Sequence, residues 1–352
     1  MNTPTVYEVL AETGIMVAAR DGVKLATDIY RPARNGKAAE GKFPVILERT
    51  PYGKSRASRS EVDSGEVKAR PRPEVAAHFV RHGYVVVYQD CRGRHGSEGE
   101  FVKYLSDGED GFDTVQWIEQ QPWCNGKVGM FGISWGGFNA LQVAARKPPA
   151  LKAIITICST DDRYEDDVHY KGGTVINEML GWAATMLAYS SRPPDPLIVG
   201  ERWREMWMER LENEPFLVIP WLSHPHRDDY WKHGSVCEDF ANIQAPTLVV
   251  GGWNDAYSNA VPRLMKGLRT TRKAIIGPWA HKYPHFAVPE PRIGFLQEAL
   301  RSDSDDPIEY VLDAGSLAEF TGAKVPGIPA APPLFDAVVL VLINGRPARA
   351  FV

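Results

Sequence analysis

One stretch limits what this 352-residue chain can fold into more than any other: Lys127-Val128-Gly129-Met130-Phe131-Gly132-Ile133-Ser134-Trp135-Gly136-Gly137. A short apolar run ends in Gly-x-Ser-x-Gly, and Phe138 to Arg146, rich in alanine, then reads as a helix. Strand, tight turn and helix in that order are the setting in which Gly-x-Ser-x-Gly forms a nucleophile elbow. Gly132 and Gly136 are expected to give room where the backbone folds sharply, since neither carries a Cβ. Ser134 is then expected at a strained turn, with its hydroxyl at the carboxyl edge of a sheet.

The flanking chain supports such a sheet. Asp21-Gly22 lies between two alternating runs and predicts a β-hairpin. Phe43 to Glu48, Tyr84 to Gln89, Lys152 to Cys158, Thr247 to Gly252 and Lys273 to Gly277 read as apolar strands. The run Tyr84-Val85-Val86-Val87-Tyr88-Gln89 has the β-branched and aromatic continuity of a strand buried on both faces. Helical stretches at Glu74–His82, Gly108–Gln121, Asn259–Leu268 and Arg292–Leu300 alternate with them. The alternation implies an α/β fold with a mostly parallel sheet covered on both faces. Between about 160 and 241 it stops, and a tryptophan-rich, mostly helical insertion is expected. After residue 300 the chain turns Asp/Ser-rich and then Pro/Gly/Ala-rich, with one apolar run at Ala337–Ile343, so 301–352 reads as a short irregular tail.

Bulk properties exclude several classes. A formal net charge of -4 gives no electrostatic reason to expect nucleic acid or an anionic membrane as partner. No apolar run approaches membrane-spanning length, and Met1 to Leu10 lacks a signal-peptide pattern, so a cytoplasmic location is expected. Cys91, Cys124, Cys158 and Cys237 show no Cys-x-x-Cys spacing and read as reduced thiols. The glycine-repeated loop Asp90-Cys91-Arg92-Gly93-Arg94-His95-Gly96-Ser97-Glu98-Gly99 lacks the Gly-Lys-Ser/Thr of a phosphate cradle and opens no helix. No cofactor is expected, and no metal: His224, His226, Asp228 and His233 sit in a polar, Pro-containing stretch without regular ligand spacing.

A serine hydroxyl is a weak nucleophile, so it needs a base, and the base needs an orienting carboxylate. Two later strand ends offer both in the required order: Trp253-Asn254-Asp255 and Pro278-Trp279-Ala280-His281. Asp255 is therefore the expected acid and His281 the expected base, with His285 the nearest rival. The oxyanion needs donors placed in advance. The Trp135 amide is one candidate, and the Tyr52 phenol, in the loop after an early strand, is the second. An acidic run after a sheet strand, including Asp161, Asp162, Glu165, Asp166 and Asp167, reads equally as a solvated turn or as a holder for a cationic substrate group. Asp162, Asp166 and Asp167 are carried forward as possible substrate-binding residues.

Together, Arg49-Thr50-Pro51-Tyr52, Asp90-Cys91-Arg92-Gly93-Arg94, Gln121-Pro122-Trp123, Gly132-Ile133-Ser134-Trp135-Gly136-Gly137, Gly252-Trp253-Asn254-Asp255 and Gly277-Pro278-Trp279-Ala280-His281 resemble the Xaa-Pro dipeptidyl-peptidase-like (CocE/NonD) serine hydrolases. The resemblance runs from about Ile15 to Pro291. It implies an α/β-hydrolase catalytic domain over 1–300 whose helical cap is the 160–241 insertion. It also implies a Ser134–Asp255–His281 triad with Tyr52 and the Trp135 amide as oxyanion hole, acting on small esters, amides or short peptides through an acyl-enzyme. Two departures stand out. The family continues into a β-rich jelly-roll domain, so a tail of about fifty residues suggests a truncated or altered end. Members acting on α-amino acid esters are expected to carry carboxylates just beyond the triad acid, whereas Ala256, Tyr257 and Ser258 stand here. The alternatives are a genuine Xaa-Pro dipeptidyl peptidase and a catalytically silent fragment or interaction protein.

Overall fold

The computed structural model describes residues 7–55, 71–101, 105–165, 168–277 and 280–281, together with the backbone of 337–343 and 346–350. Strands β1 (Glu8–Ala18) and β2 (Lys24–Arg34) form the hairpin around Asp21-Gly22, and β3 (Lys37–Ala38) adds a short antiparallel pair to β2. The sheet continues through β4 (Phe43–Thr50), β5 (Val85–Asp90), β6 (Cys124–Ile133), β7 (Leu151–Ile157), β10 (Thr247–Gly252), β11 (Arg272–Gly277), β12 (Ala337–Ile343) and β13 (Arg346–Ala350). Their spatial order is β1-β2-β5-β4-β6-β7-β10-β11-β12-β13. Every pairing from β5 to β12 is parallel, and the hairpin and β13 close the two ends antiparallel. The apolar run at Ala337–Ile343 is thus a sheet strand, which adds regular structure to a tail read from its composition as irregular. The helix expected at Arg292–Leu300 lies outside the described residues.

Alternation along the strands explains why both faces must be covered. Val45, Leu47, Val85, Val87, Val128, Met130 and Val249 point to one face, against α2 (Asp107–Glu119), α3 (Trp135–Ala145) and α9 (Ala260–Gly267). Ile46, Val86, Tyr88, Phe131, Ile155 and Val250 point to the other, where Ala76, Phe79 and Val80 of α1 (Arg72–Arg81) pack. Each fully buried aliphatic side chain contributes about 1.5–3 kcal/mol, so a strand apolar on both sides is stable only with helices over both faces.

Residues 160–241 leave this plan. They hold a two-stranded ribbon, β8 (Tyr170–Lys171) and β9 (Thr174–Val175), and helices α4 (Glu178–Ser190), α5 (Pro196–Val199), α6 (Trp203–Asn213), α7 (Val218–Ser223) and α8 (Asp229–Lys232). Their core is aromatic: Tyr164, Tyr170, Trp221 and Trp231 gather with Met179 and Met186. Trp135 and Phe138 of α3 belong to the same cluster, while Ala140, Leu141 and Ala144 of that helix pack on the sheet. One helix is therefore shared between sheet and cap.

The turn into α3 is held open by missing side chains. Ser134 sits at φ 58° and ψ -120°, a conformation that costs a non-glycine residue about 1–3 kcal/mol. A Cβ on Gly132 would lie 2.4 Å from the Gly136 carbonyl carbon, and one on Gly137 would lie 2.9 Å from the Gly132 oxygen. A Cβ on Gly136 would meet nothing closer than the Arg49 oxygen at 3.5 Å. The steric demand therefore falls on Gly132 and Gly137 rather than on Gly132 and Gly136. Gly132→Ala should lower unfolding stability by about 1–3 kcal/mol through overpacking against a backbone that has no rotamer to yield. Denaturant unfolding checks this, and an unchanged midpoint would show that the turn has slack.

Candidate active site

Parallel strands end their chains at one edge, and that edge collects the candidates. Ser134 follows β6, and its amide donates to the Ile157 carbonyl of β7 at 2.8 Å. Asp255 lies in the turn after β10, where its amide donates to the Gly252 carbonyl. His281 follows β11. His281 Nδ1 and Asp255 Oδ1 are 2.9 Å apart. The Asp255 side chain is 1% exposed and that of His281 35%, so the carboxylate is sealed beneath an imidazole that still reaches the cavity. Ser134, Asp255, His281 and Tyr52 all line one cavity of about 500 Å³. The cap closes it from above with Val168, Trp182, Thr185 and Tyr189. Asp255 is the one carboxylate among the described residues lining it.

The Trp135 amide opens α3 beside Ser134, at the positive end of the helix dipole. Its indole donates to Asp107 Oδ2 at 3.0 Å, which fixes the ring under the cap. Tyr52 approaches from the loop after β4. Burial holds its phenol well above its ordinary range, opposed by a hydrogen bond with Ser134, so it stays a protonated donor beside the serine oxygen. Its ring packs against Tyr189 with centroids 5.8 Å apart.

Two motifs whose role was not legible in the chain turn out to hold this loop. Arg49 is fully buried and donates to Gln89 Oε1, to the Asp107 carbonyl and to Asn139 Oδ1, which ties β4 to β5, α2 and α3. Arg94 lies in the glycine-repeated loop. It donates to the Pro51 carbonyl at 3.1 Å, to Ser190 Oγ at 2.8 Å and to the Tyr189 carbonyl at 2.9 Å. Burial pulls its guanidinium down to about 10, still charged at neutral pH. Gly93 makes that loop possible: at φ 67° a Cβ there would lie 2.3 Å from the Phe101 amide nitrogen. The repeated glycines thus serve a tight loop that aims an arginine at the segment next to Tyr52.

Two carboxylates of the acidic run, Asp161 and Asp162, are committed elsewhere. Asp161 is buried and pairs with Arg263 of α9 at 2.6 Å. Asp162 accepts from the Tyr164 amide at 2.9 Å and pairs with Arg227 at 3.1 Å, and it does not line the cavity. Asp166 and Asp167 lie outside the described residues, as does His285. The histidine-rich stretch of the cap brackets α8: His224 Nδ1 lies 2.6 Å from Asp228 Oδ2 and its ring stacks on Tyr230, while His233 Nε2 lies 3.0 Å from the Leu105 carbonyl.

Asp90 braces the loop that carries Tyr52, since its Oδ1 accepts from the Lys54 amide at 2.7 Å. Burial pushes its carboxyl up to about 7, against the pull of Lys54. The folded chain therefore keeps a proton that the unfolded chain, near the ordinary 3.8, has already lost. This group's stabilising contribution is present below that window and is lost as pH rises from about 4 to about 7. Melting temperature should fall through that window relative to Asp90→Asn, and parallel curves for the two proteins would remove Asp90 from the account.

Comparison with known proteins adds four findings. The profile of the X-Pro dipeptidyl-peptidase (S15 family) matches residues 21–283. A cocaine esterase from Rhodococcus sp. is 35% identical over 292 residues, which is 76% of this chain and 48% of that protein, so the chain spans about half its length. Among solved structures, a CocE/NonD family hydrolase from Staphylococcus aureus superposes with a TM-score of 0.67 at 21% identity, covering 98% of this chain and 56% of that one. An α-amino acid ester hydrolase gives 0.57 at 23% identity, covering 96% and 58%. With the mostly parallel sheet and its covering helices, these neighbours identify the α/β-hydrolase fold.

Proposed function

The chain belongs to the X-Pro dipeptidyl-peptidase (S15) family, and on that premise we propose that it is a serine hydrolase that cleaves carboxylic esters or amides through an acyl-enzyme. The observation that carries this reading is the meeting, across one cavity, of a serine on a strained elbow, a histidine paired to a sealed carboxylate, and a half-buried tyrosine. Ser134 attacks the carbonyl carbon while His281 takes its proton. Asp255, at Nδ1, fixes the tautomer that leaves Nε2 as acceptor and stabilises the imidazolium. The oxyanion forms between the Tyr52 hydroxyl and the Trp135 amide. His281 then protonates the leaving group, and water repeats the sequence on the acyl-enzyme.

The lining supports an uncharged acyl group. Val168, Trp182, Tyr189, Ala256 and Tyr257 offer apolar and aromatic surface, and the only carboxylate of the described lining is already bound to His281. A dipeptide with a free α-ammonium needs a counter-charge, which the described lining lacks, so ester substrates are favoured over Xaa-Pro peptides. The acidic run points the same way, since Asp161 and Asp162 spend their charge on Arg263 and Arg227.

Ser134→Ala should lower kcat by roughly 10⁶-fold and abolish labelling by a fluorophosphonate, with circular dichroism unchanged. Retained turnover in that variant would remove Ser134 from the chemistry. Tyr52→Phe should lose roughly 10²–10³-fold in kcat if its phenol holds the oxyanion. Substrate class is read by comparing kcat/KM for p-nitrophenyl acyl esters with that for Ala-Pro anilides. Esters should be preferred, and a preference for the anilide would favour the dipeptidyl-peptidase reading instead.

A further inference from the structure

Cys158 directly follows β7, the strand between those that carry Ser134 and Asp255. It is buried, holds φ at 47°, and donates its amide to the Val250 carbonyl of β10 at 2.8 Å. That unusual backbone brings its sulfur under the acid–base pair. The Cys158 sulfur, a carboxylate oxygen of Asp255 and a ring nitrogen of His281 all lie within 4.8 Å of one another. Asp255 Oδ2 is a buried acceptor with no hydrogen-bond donor among the described residues. Leaving a charged oxygen so is costly, and a cation is one of the few groups that repays it.

We propose that Cys158, Asp255 and His281 form a binding site for a thiophilic divalent cation such as Zn²⁺, and that its occupancy disables the His281 base. Thiolate, imidazole and carboxylate are the three donor types that zinc takes. Bond lengths of about 2.3 Å to sulfur and 2.0–2.1 Å to nitrogen or oxygen put tetrahedral donors about 3.3–3.6 Å apart; donors that all lie within 4.8 Å are near that spacing, and the Nδ1–Oδ1 pair at 2.9 Å opens slightly if both bind. The half-open face of His281 is the entry path, and the cavity supplies water for the fourth position. Binding releases one proton, from the thiol to solvent, and the two charges of the metal are matched by thiolate and carboxylate. Bound at His281 Nδ1, the metal forces the ring proton onto Nε2; bound at Nε2, it covers the atom itself. Either way the ring can no longer accept the serine proton. The metal is an inhibitor here and takes no part in turnover.

The inhibitory half rests on His281 acting as base, so binding and activity are read separately. Chelator-treated protein is titrated with Co²⁺, which on thiolate ligation gains a charge-transfer absorption in the near ultraviolet. That band should appear in the wild-type chain and vanish in both Cys158→Ala and Cys158→Ser, whose folding is checked by their melting curves. Asp255→Asn should weaken Co²⁺ binding by at least the roughly 10–100-fold that loss of even an outer partner costs. In parallel, Zn²⁺ should block fluorophosphonate labelling of the wild type, and each Cys158 variant, scaled to its own metal-free labelling, should need at least tenfold more Zn²⁺. Absence of the band, or a band that survives both Cys158 substitutions, overturns the site. Co²⁺ binding through Cys158 in a protein that never labels would uphold the site and defeat the proposed function instead.

Discussion

Ser134 stands at a positive φ that no other non-glycine residue of its strand or helix adopts, and the chain around it is arranged to make that torsion tolerable. With φ at 58°, the serine projects from the sheet edge rather than into it. The strain is absorbed because β6 and α3 approach until the Gly132 and Gly136 backbones nearly touch, at a spacing that admits no Cβ on Gly132. The sheet then supplies alignment. Because β6, β10 and β11 run parallel, their carboxyl ends bring Ser134, Asp255 and His281 to one edge without any long-range loop having to find the others.

Around that edge the polar framework is buried and directed. Arg49 joins two strands to two helices with hydrogen bonds that water cannot contest, and Asp107 shares in that network while holding the Trp135 ring. Asp161 performs a similar task on the far side, fastening the end of β7 to α9 through Arg263. Each of these charges is buried beside a partner, the condition under which an interior ion is tolerated.

Legibility in the sequence followed the range of the interactions. The parallel core was readable because runs such as Tyr84-Val85-Val86-Val87-Tyr88 carry their burial in their composition. The gathering of Ser134, Asp255 and His281 at one sheet edge was readable because each follows its own strand. Arg94 was not, since nothing in Arg92-Gly93-Arg94 says which arginine turns inward. In the structure Arg92 pairs outward with Asp21 and Asp110, and Arg94 turns to Pro51. The carboxylates at Asp161 and Asp162 were ambiguous for the same reason: their partners, Arg263 and Arg227, lie 102 and 65 residues away. Cys158 offered no signal at all, because what matters is a positive φ that brings its sulfur beneath a neighbouring strand's turn.

The Arg94 guanidinium has a mechanical corollary. Its donors grip the cap at Tyr189 and Ser190 and, in the same planar fork, the carbonyl immediately before Tyr52. A rigid fork transmits displacement, so α4 and the phenol behave as two ends of one lever. If the Tyr52 hydroxyl holds the oxyanion, as proposed above, a bulky guest that props α4 outward drags it off the developing anion, while the guest's own contacts with the aromatic lining persist. Poorly shaped substrates are then penalised in turnover more than in occupancy, and selectivity is exercised after the guest has already been admitted.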